Sequence, residues 1–354
     1  MIGSALRAPL FVLALWSAPG SAVAEPAQAD SQMRAVLDAL GDLKAQPIHT
    51  LSVQQARTQA SPADAARMVQ RARKISPLPE AAVETKDIAL PTPAGALPAR
   101  LYRPDASGPL PVIVYFHGGG WVVGDLNSHD STPRALTLGS GAAVLSVDYR
   151  HAPESRFPAA HEDAWNAYLW VLENALSIGG DAERIAVAGE DAGGNLAANV
   201  ALMAKEKGKP LPVHQLLIYP IVGSDMNTPS YRQNAEARPL GRADMEWFAR
   251  HVLRSCTQTA DPRINLVGRT DLSGLPPATV VTAEIDPLRS EGQTYAERMQ
   301  AAGVVVNLVD VAGVTHAFFG MGKVVDKAKS AVEAANADLR KAFAKSTNSK
   351  GTGQ

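Results

Sequence analysis

Arg184-Ile185-Ala186-Val187-Ala188-Gly189-Glu190-Asp191-Ala192-Gly193-Gly194-Asn195 is the stretch from which the fold can be read. Its first residues form a short, β-branched-rich apolar run, the signature of a buried strand. The residues from Asn195 to Lys207 then read as a helix, with only a glycine-flanked turn between. A strand that turns sharply into a helix holds its central side chain on a strained corner at the edge of a sheet, the frame called a nucleophile elbow. Gly189 and Gly193 lie two positions to either side of that corner, where the turn forces close contact and a side chain would not fit. The N–H of Ala192, at the start of the helix, would point at the reacting centre. Such a corner usually carries serine; this chain has Asp191.

Working outward, about seventy residues earlier, the strand Val112–Phe116 runs into His117-Gly118-Gly119-Gly120-Trp121. Successive glycines let backbone N–H groups approach a substrate oxygen, which is how an oxyanion loop is built. Downstream, Glu284-Ile285-Asp286-Pro287-Leu288 and Gly313-Val314-Thr315-His316-Ala317-Phe318 each follow a late strand. Residues just after the strands of a parallel sheet converge on one edge. The chain order of elbow, acid and histidine is that of the α/β-hydrolases. It casts Asp286 as the group that orients His316, and His316 as general base. His129, His161 and His214 have no such setting and read as structural.

The wider pattern supports this placement. Strand-length runs recur at Asp87–Leu90, Leu97–Tyr102, Val112–Phe116, Ala142–Val147, Arg184–Ala188, Gln215–Tyr219, Ala278–Thr282 and Val304–Val309. Helical stretches at Pro158–Leu176, Asn195–Lys207, Ser290–Ala302 and Val325–Phe343 separate the later ones. Alternating strands and helices predict an α/β fold whose mostly parallel sheet is covered on both faces. The first two strands lack a helix between them and predict an antiparallel edge. Residues 31–75 read as helical, with Ser61-Pro62 as a cap and first helical position, until a switch near Pro77. Together with 225–256, and the aromatic helical stretch Tyr231–Arg254 inside it, this segment predicts a small cap over the sheet. Trp121, Trp247, Phe248 and Phe318 are candidates to line a pocket beneath it, and Tyr231 reads as a surface residue of the cap. Residues 346–354 read as a flexible polar tail.

Composition narrows the functional class. The chain has 354 residues with 34 basic and 35 acidic side chains, a balance that argues against nucleic acid or an anionic membrane surface as partner. A small-molecule substrate is the expected partner. Arg7, the apolar run from Ala8 to Trp16 and the small residues Ala22-Val23-Ala24 read as a signal peptide over residues 1–24, which predicts a periplasmic or secreted mature protein. The apolar run is too short to span a bilayer. Cys256 is the only cysteine, so no intramolecular disulfide and no cysteine-based metal site can form; it reads as a core residue.

Taken together, these residues resemble the hormone-sensitive-lipase branch of the α/β-hydrolases, from about Met33 to Phe343. The likeness runs through His117-Gly118-Gly119-Gly120-Trp121, Val147-Asp148-Tyr149-Arg150, Ala152-Pro153-Glu154 and Phe157-Pro158-Ala159. It continues in Gly193-Gly194-Asn195-Leu196-Ala197, Asp286-Pro287-Leu288 and His316-Ala317-Phe318, and in Asn234-Ala235-Glu236 and Met245-Glu246-Trp247-Phe248 of the cap. The resemblance implies an α/β-hydrolase domain over 25–345 that hydrolyses small esters through an acyl-enzyme, without metal or cofactor. It implies Gly118, Gly119 and Ala192 as oxyanion donors, and Asp286 and His316 as members of a triad.

Asp191 departs from that pattern. A carboxylate is ionised at neutral pH and needs no base for its first attack. Attack on an ester carbonyl would give an anhydride, a poor route. Attack on a saturated carbon of an epoxide or alkyl halide would give an ester on Asp191, which water activated by His316 could hydrolyse. Three readings follow: an esterase-like hydrolase in which Asp191 or His316 positions water, a covalent Asp191 hydrolase, and an inactive small-molecule binder.

Overall fold

The computed structural model describes residues 27–76 and 82–348. The signal peptide read at residues 1–24, the switch near Pro77 and residues 349–354 of the tail lie outside the described residues.

Eight strands form one sheet in the order β1-β2-β4-β3-β5-β6-β7-β8. They are β1 (Val83–Thr92), β2 (Gly95–Pro104), β3 (Leu110–Phe116), β4 (Ala143–Val147), β5 (Gly180–Glu190), β6 (Gln215–Ile218), β7 (Ala278–Ile285) and β8 (Val306–Thr315). The β1–β2 and β2–β4 pairs are antiparallel, and every pair from β4–β3 to β7–β8 is parallel. All eight apolar runs are therefore strands, and the first two make the expected antiparallel edge. β4 and β6 are buried along their whole length, as strands covered on both faces must be, whereas edge strand β1 is mostly exposed.

Strand periodicity divides the interior in two. Val112, Val114 and Phe116 face one core with Val187, while Ile113 and Tyr115 face the other with Ala186 and Ala188. The first core is closed by α5 (Ala159–Asn174), α6 (Ala192–Glu206) and α9 (Arg289–Ala301), through Ala164, Tyr168, Leu196, Val200, Tyr295 and Met299. The second is closed by α4 (Ser131–Ser140) and α10 (Asp326–Asn348), through Leu136, Ala331, Ala335 and Leu339.

The segment 31–75 is not one helix. It comprises α1 (Ser31–Asp42), a 3-10 turn at Ile48–Thr50, α2 (Val53–Thr58) and α3 (Pro62–Ala72). Asp30, Ser52 and Ser61 each accept a first-turn amide, so every cap restarts the chain in a new direction. The second cap segment supplies α7 (Pro229–Gln233) and α8 (Arg242–Val252). Asp244 of α8 accepts the His49 amide at 3.0 Å, and the Trp247 indole donates to Leu51 O at 3.1 Å, so the two cap segments are tied together.

Three expectations are corrected here. Cys256 is exposed, because α8 ends at Val252 and the chain then runs over the surface in a 3-10 turn. Tyr231 is buried rather than on the surface. The helix α10 continues through Ser346 to Asn348, past the point where the tail was expected to begin, since no helix breaker intervenes.

Candidate active site

Each chemistry-bearing residue follows the carboxyl end of a parallel strand. Asp191 stands between β5 and α6 with φ 53° and ψ −118°, a strained conformation for a non-glycine residue. Its neighbours lock it there: Asp191 N donates to Ile218 O at 2.9 Å, and Asp191 O accepts Ile221 N at 3.1 Å. The flanking glycines are required by space. A Cβ at Gly189 would lie 2.1 Å from Gly193 O, and one at Gly193 would lie 2.0 Å from Phe116 O.

His316 follows β8 and Asp286 follows β7. His316 Nδ1 is 2.8 Å from Asp286 Oδ2, while Asp286 Oδ1 accepts the Leu288 amide at 2.9 Å. The other imidazole nitrogen, Nε2, lies 4.0 Å from Asp191 Oδ1. Asp191, Asp286 and His316 are all buried. Burial opposes charge on His316, but Asp286, Asp191 and Glu190 outweigh it and raise its pKa above the ordinary histidine value.

The glycine loop meets the elbow one residue later than expected. Gly119 N and Gly120 N both donate to Asp191 Oδ2, at 2.7 and 2.8 Å. Gly118 instead packs its Cα side against the Asp191 Cβ, and Ala192 opens helix α6 just beyond. The shift arises because the loop curls through positive φ at Gly119 and Gly120, which makes consecutive amides converge into a small anion nest. The expected Gly118–Gly119 pair is thus replaced at this oxygen by Gly119–Gly120. The carboxylate of Asp191 itself occupies the pair of donors, while its Oδ1 is buried with no hydrogen-bond partner among the described residues.

Of the four aromatic pocket candidates, only Phe248 lines the cavity of about 800 Å³ that reaches Asp191 and His316. Its ring stands where a Cβ on Gly120 would be. Leu37, Leu40, Ile48 and Leu240, from both cap segments, add apolar walls. Trp121 is stacked on His161, Trp247 is turned to Leu51, and Phe318 is sealed in the second core beside Tyr219, so these three serve packing.

Little in the sequence pointed to the layer beneath Asp191, His316 and Asp286. Glu190 accepts the hydroxyls of Tyr115 and Tyr219, both at 2.5 Å. The Tyr219 ring lies 4.6 Å from the His316 ring, so this carboxylate steadies the base from below. Glu291 of α9 accepts the amides of Val222 and Gly223 at 2.8 and 3.0 Å. Burial above all, with Asp286 and Asp191 adding to it against those two amides, pushes its pKa up to about 8. Of the three histidines read as structural, His161 bonds Asn195 and His214 bonds Thr279, whereas His129 lines the cavity next to Gly118. Only the Glu190 position, inside the elbow motif, carried a signal; the others come from partners distant in sequence.

Residues 113–320 match the family described as alpha/beta hydrolase fold. The chain is 42% identical over 293 residues to a carboxylesterase of Mycobacterium tuberculosis, covering 81% of this chain and 91% of that one. It is 35% identical over 289 residues to an ethyl acetate hydrolase of Pseudomonas putida, covering 80% and 89%. The structure of a thermostable esterase from Pseudomonas putida ECU1011 superposes with a TM-score of 0.80 at 35% identity, over 89% of this chain and 98% of that one. A hyperthermophilic esterase from Pyrobaculum calidifontis gives a TM-score of 0.77 at 37% identity, over 86% and 96%.

Proposed function

This chain belongs to the α/β-hydrolase fold family, and from that premise we propose that it hydrolyses small carboxylic esters in the cavity above Asp191. The observation that carries the reading is the convergence on residue 191 of the Asp286–His316 pair and two loop amides. The carboxylesterase relatives support the substrate class. For turnover, the ester carbonyl oxygen must replace Asp191 Oδ2 at the Gly119 and Gly120 amides. Water then attacks the carbonyl carbon, held by the displaced carboxylate and by neutral His316. His316 takes the proton and returns it to the departing alkoxide, so an ester and water become an acid and an alcohol. The cavity's apolar walls suit short acyl or aryl groups. Hydrolysis of short-chain p-nitrophenyl esters tests this: His316→Ala is expected to lower kcat/KM by roughly 10²–10⁴, and an unchanged rate refutes the mechanism.

One feature favours a second reading, covalent chemistry at Asp191. Its Oδ2 is fixed by two amides while Oδ1 has no partner among the described residues. Were Oδ1 to displace a halide ion from a saturated carbon, or open an epoxide whose ring oxygen leaves as an alkoxide and takes a proton from water, Oδ2 would become the carbonyl oxygen of the resulting ester, already within the donor pair. Water deprotonated by His316 would then attack Cγ and release the alcohol. Single turnover in heavy-oxygen water leaves label in the Asp191 peptide if this route operates, and none if it does not. Substrate binding without turnover by either assay would identify the site as a binder.

The leader read at residues 1–24 supports export of the mature chain, and amino-terminal sequencing of the exported protein would begin at Glu25 if cleavage follows Ala24. No helix among the described residues is long and apolar enough to cross a membrane.

A further inference from the structure

We propose that His117, Asp148 and His151 form a site for one divalent transition-metal ion of the zinc class, beside the catalytic line and separate from it. Nothing in the ester-hydrolysis scheme uses these side chains as ligands. They come together because β3 and β4 are parallel neighbours, with Phe116 paired to Val147. His117 and Asp148 are the first residues past the end of each strand, and His151 lies three residues further on. One ligand atom from each of the three lies within 4.8 Å of the others.

The state of His117 argues for a cation. It is fully buried, and its Nδ1 sits 2.7 Å from Gly118 O. A carbonyl can only accept, so Nδ1 carries the proton, and in the neutral ring Nε2 is left with its lone pair. That nitrogen has no hydrogen-bond partner among the described residues, and it stands 3.6 Å from Asp148 Oδ1, too far for a hydrogen bond. A lone pair this close to a carboxylate is unfavourable, and a cation between them reverses the sign. His151 Nε2 is also buried and unpartnered among the described residues. A histidine whose other nitrogen is fixed to a backbone carbonyl is the usual arrangement of a metal ligand, because that bond sets the tautomer and the ring orientation. Tyr149 adds to this: its ring stacks on His117 at 4.5 Å and its hydroxyl donates to His117 O at 2.9 Å.

Two imidazoles and one carboxylate suit zinc and its neighbours, and leave a coordination position open. Zinc bonds of about 2 Å require the ligand atoms to draw in by roughly 1 Å. The Asp148 side chain, 31% exposed, is free to make that movement. The nearby Arg57 guanidinium is already paired with Glu154 through two 2.8 Å bonds, so its charge is offset. His151 lines the large cavity, which gives an ion a way in. Since His117 begins the loop that presents the Gly119 and Gly120 amides, a bound ion would tie that loop to the segment after β4.

The test uses the full-length protein stripped of metal, titrated with Zn²⁺ by calorimetry and with Co²⁺ by visible absorption. The expected result is one saturable site, with Zn²⁺ raising the melting temperature. Both His151→Leu and Asp148→Asn should weaken Zn²⁺ binding at least tenfold and remove the cobalt bands. Melting of each metal-free variant checks its fold, and Asp148→Asn carries the test if His151→Leu does not fold. Absence of saturable binding, or binding kept by a folded Asp148→Asn variant, overturns the proposal.

Discussion

The two carboxylates that flank His316 are held in opposite ways. Asp286, just after β7 and not among the residues with positive φ, has both oxygens engaged, one by the imidazole and one by the Leu288 amide. Asp191 has one oxygen engaged twice and the other with no hydrogen-bond partner among the described residues, on a backbone at φ 53°. The first arrangement holds its carboxylate still. The second stores strain and leaves a lone pair unused, which is the condition of a group at the reacting point. Position in the sheet explains the difference. Asp286 and His316 come off neighbouring strands β7 and β8, whereas Asp191 sits on the tight β5–α6 corner that the glycine loop after β3 must reach across to meet.

That contrast can be broken most severely at Asp286. Asp286→Ala leaves the buried His316 Nδ1–H without its acceptor and should cost about 1–3 kcal/mol of stability; denaturant titration checks this, and no loss would mean the pair is not anchored as described. Glu291, whose proton responds to both carboxylates, gives the next effect. Its folded pKa is raised, to about 8, so the folded protein keeps a proton that the unfolded chain has lost. Its contribution is therefore complete below the ordinary glutamate range and is lost as pH rises through about 8. Glu291→Gln should flatten the fall in melting temperature between acid and alkaline buffers, and an unchanged slope would refute it. Asp191→Gly should move stability the other way, upward by about 1 kcal/mol, by relieving backbone strain and deleting a half-satisfied buried carboxylate; a loss of stability would show that the elbow relies on that side chain. The smallest effect is on titration. Asp191 helps raise the His316 pKa, so Asp191→Asn should lower it, and any His316-dependent rate should set in at lower pH. Nuclear magnetic resonance of the imidazole reads this directly, and no downward shift would mean the two groups do not sense each other.

Much of this was legible in the sequence, for reasons that are local. The eight strands announced themselves as short apolar runs, most of them carrying β-branched residues, and the elbow, Asp286 and His316 by their order and their places after strands. Boundaries were less legible, because residues such as Asp310 and Val311 in the middle of β8 are polar or partly exposed on an edge strand. The donor pair was displaced by one residue because the curl at Gly119 and Gly120 is set by dihedral angles, which a row of three glycines does not specify. Three of the four aromatic candidates turned to packing: Trp247 because helical spacing alone does not say which side of α8 faces the cavity, and Trp121 and Phe318 because the turns after β3 and β8 direct them into the cores. The tyrosine pair around Glu190 and the histidine beside Asp148 were hidden for a simpler reason: their partners lie on different strands, far apart in the chain.

The central claim is that a working ester site stands around residue 191 and that the Asp191 carboxylate occupies its oxyanion donors. Steady-state kinetics of Asp191→Ser on a short p-nitrophenyl ester tests it most directly. The substitution empties the Gly119 and Gly120 amides, places a hydroxyl beside His316, and is expected to raise kcat/KM by roughly 10²–10³, the scale of a restored oxyanion interaction. A folded Asp191→Ser protein with no gain in rate would contradict the account.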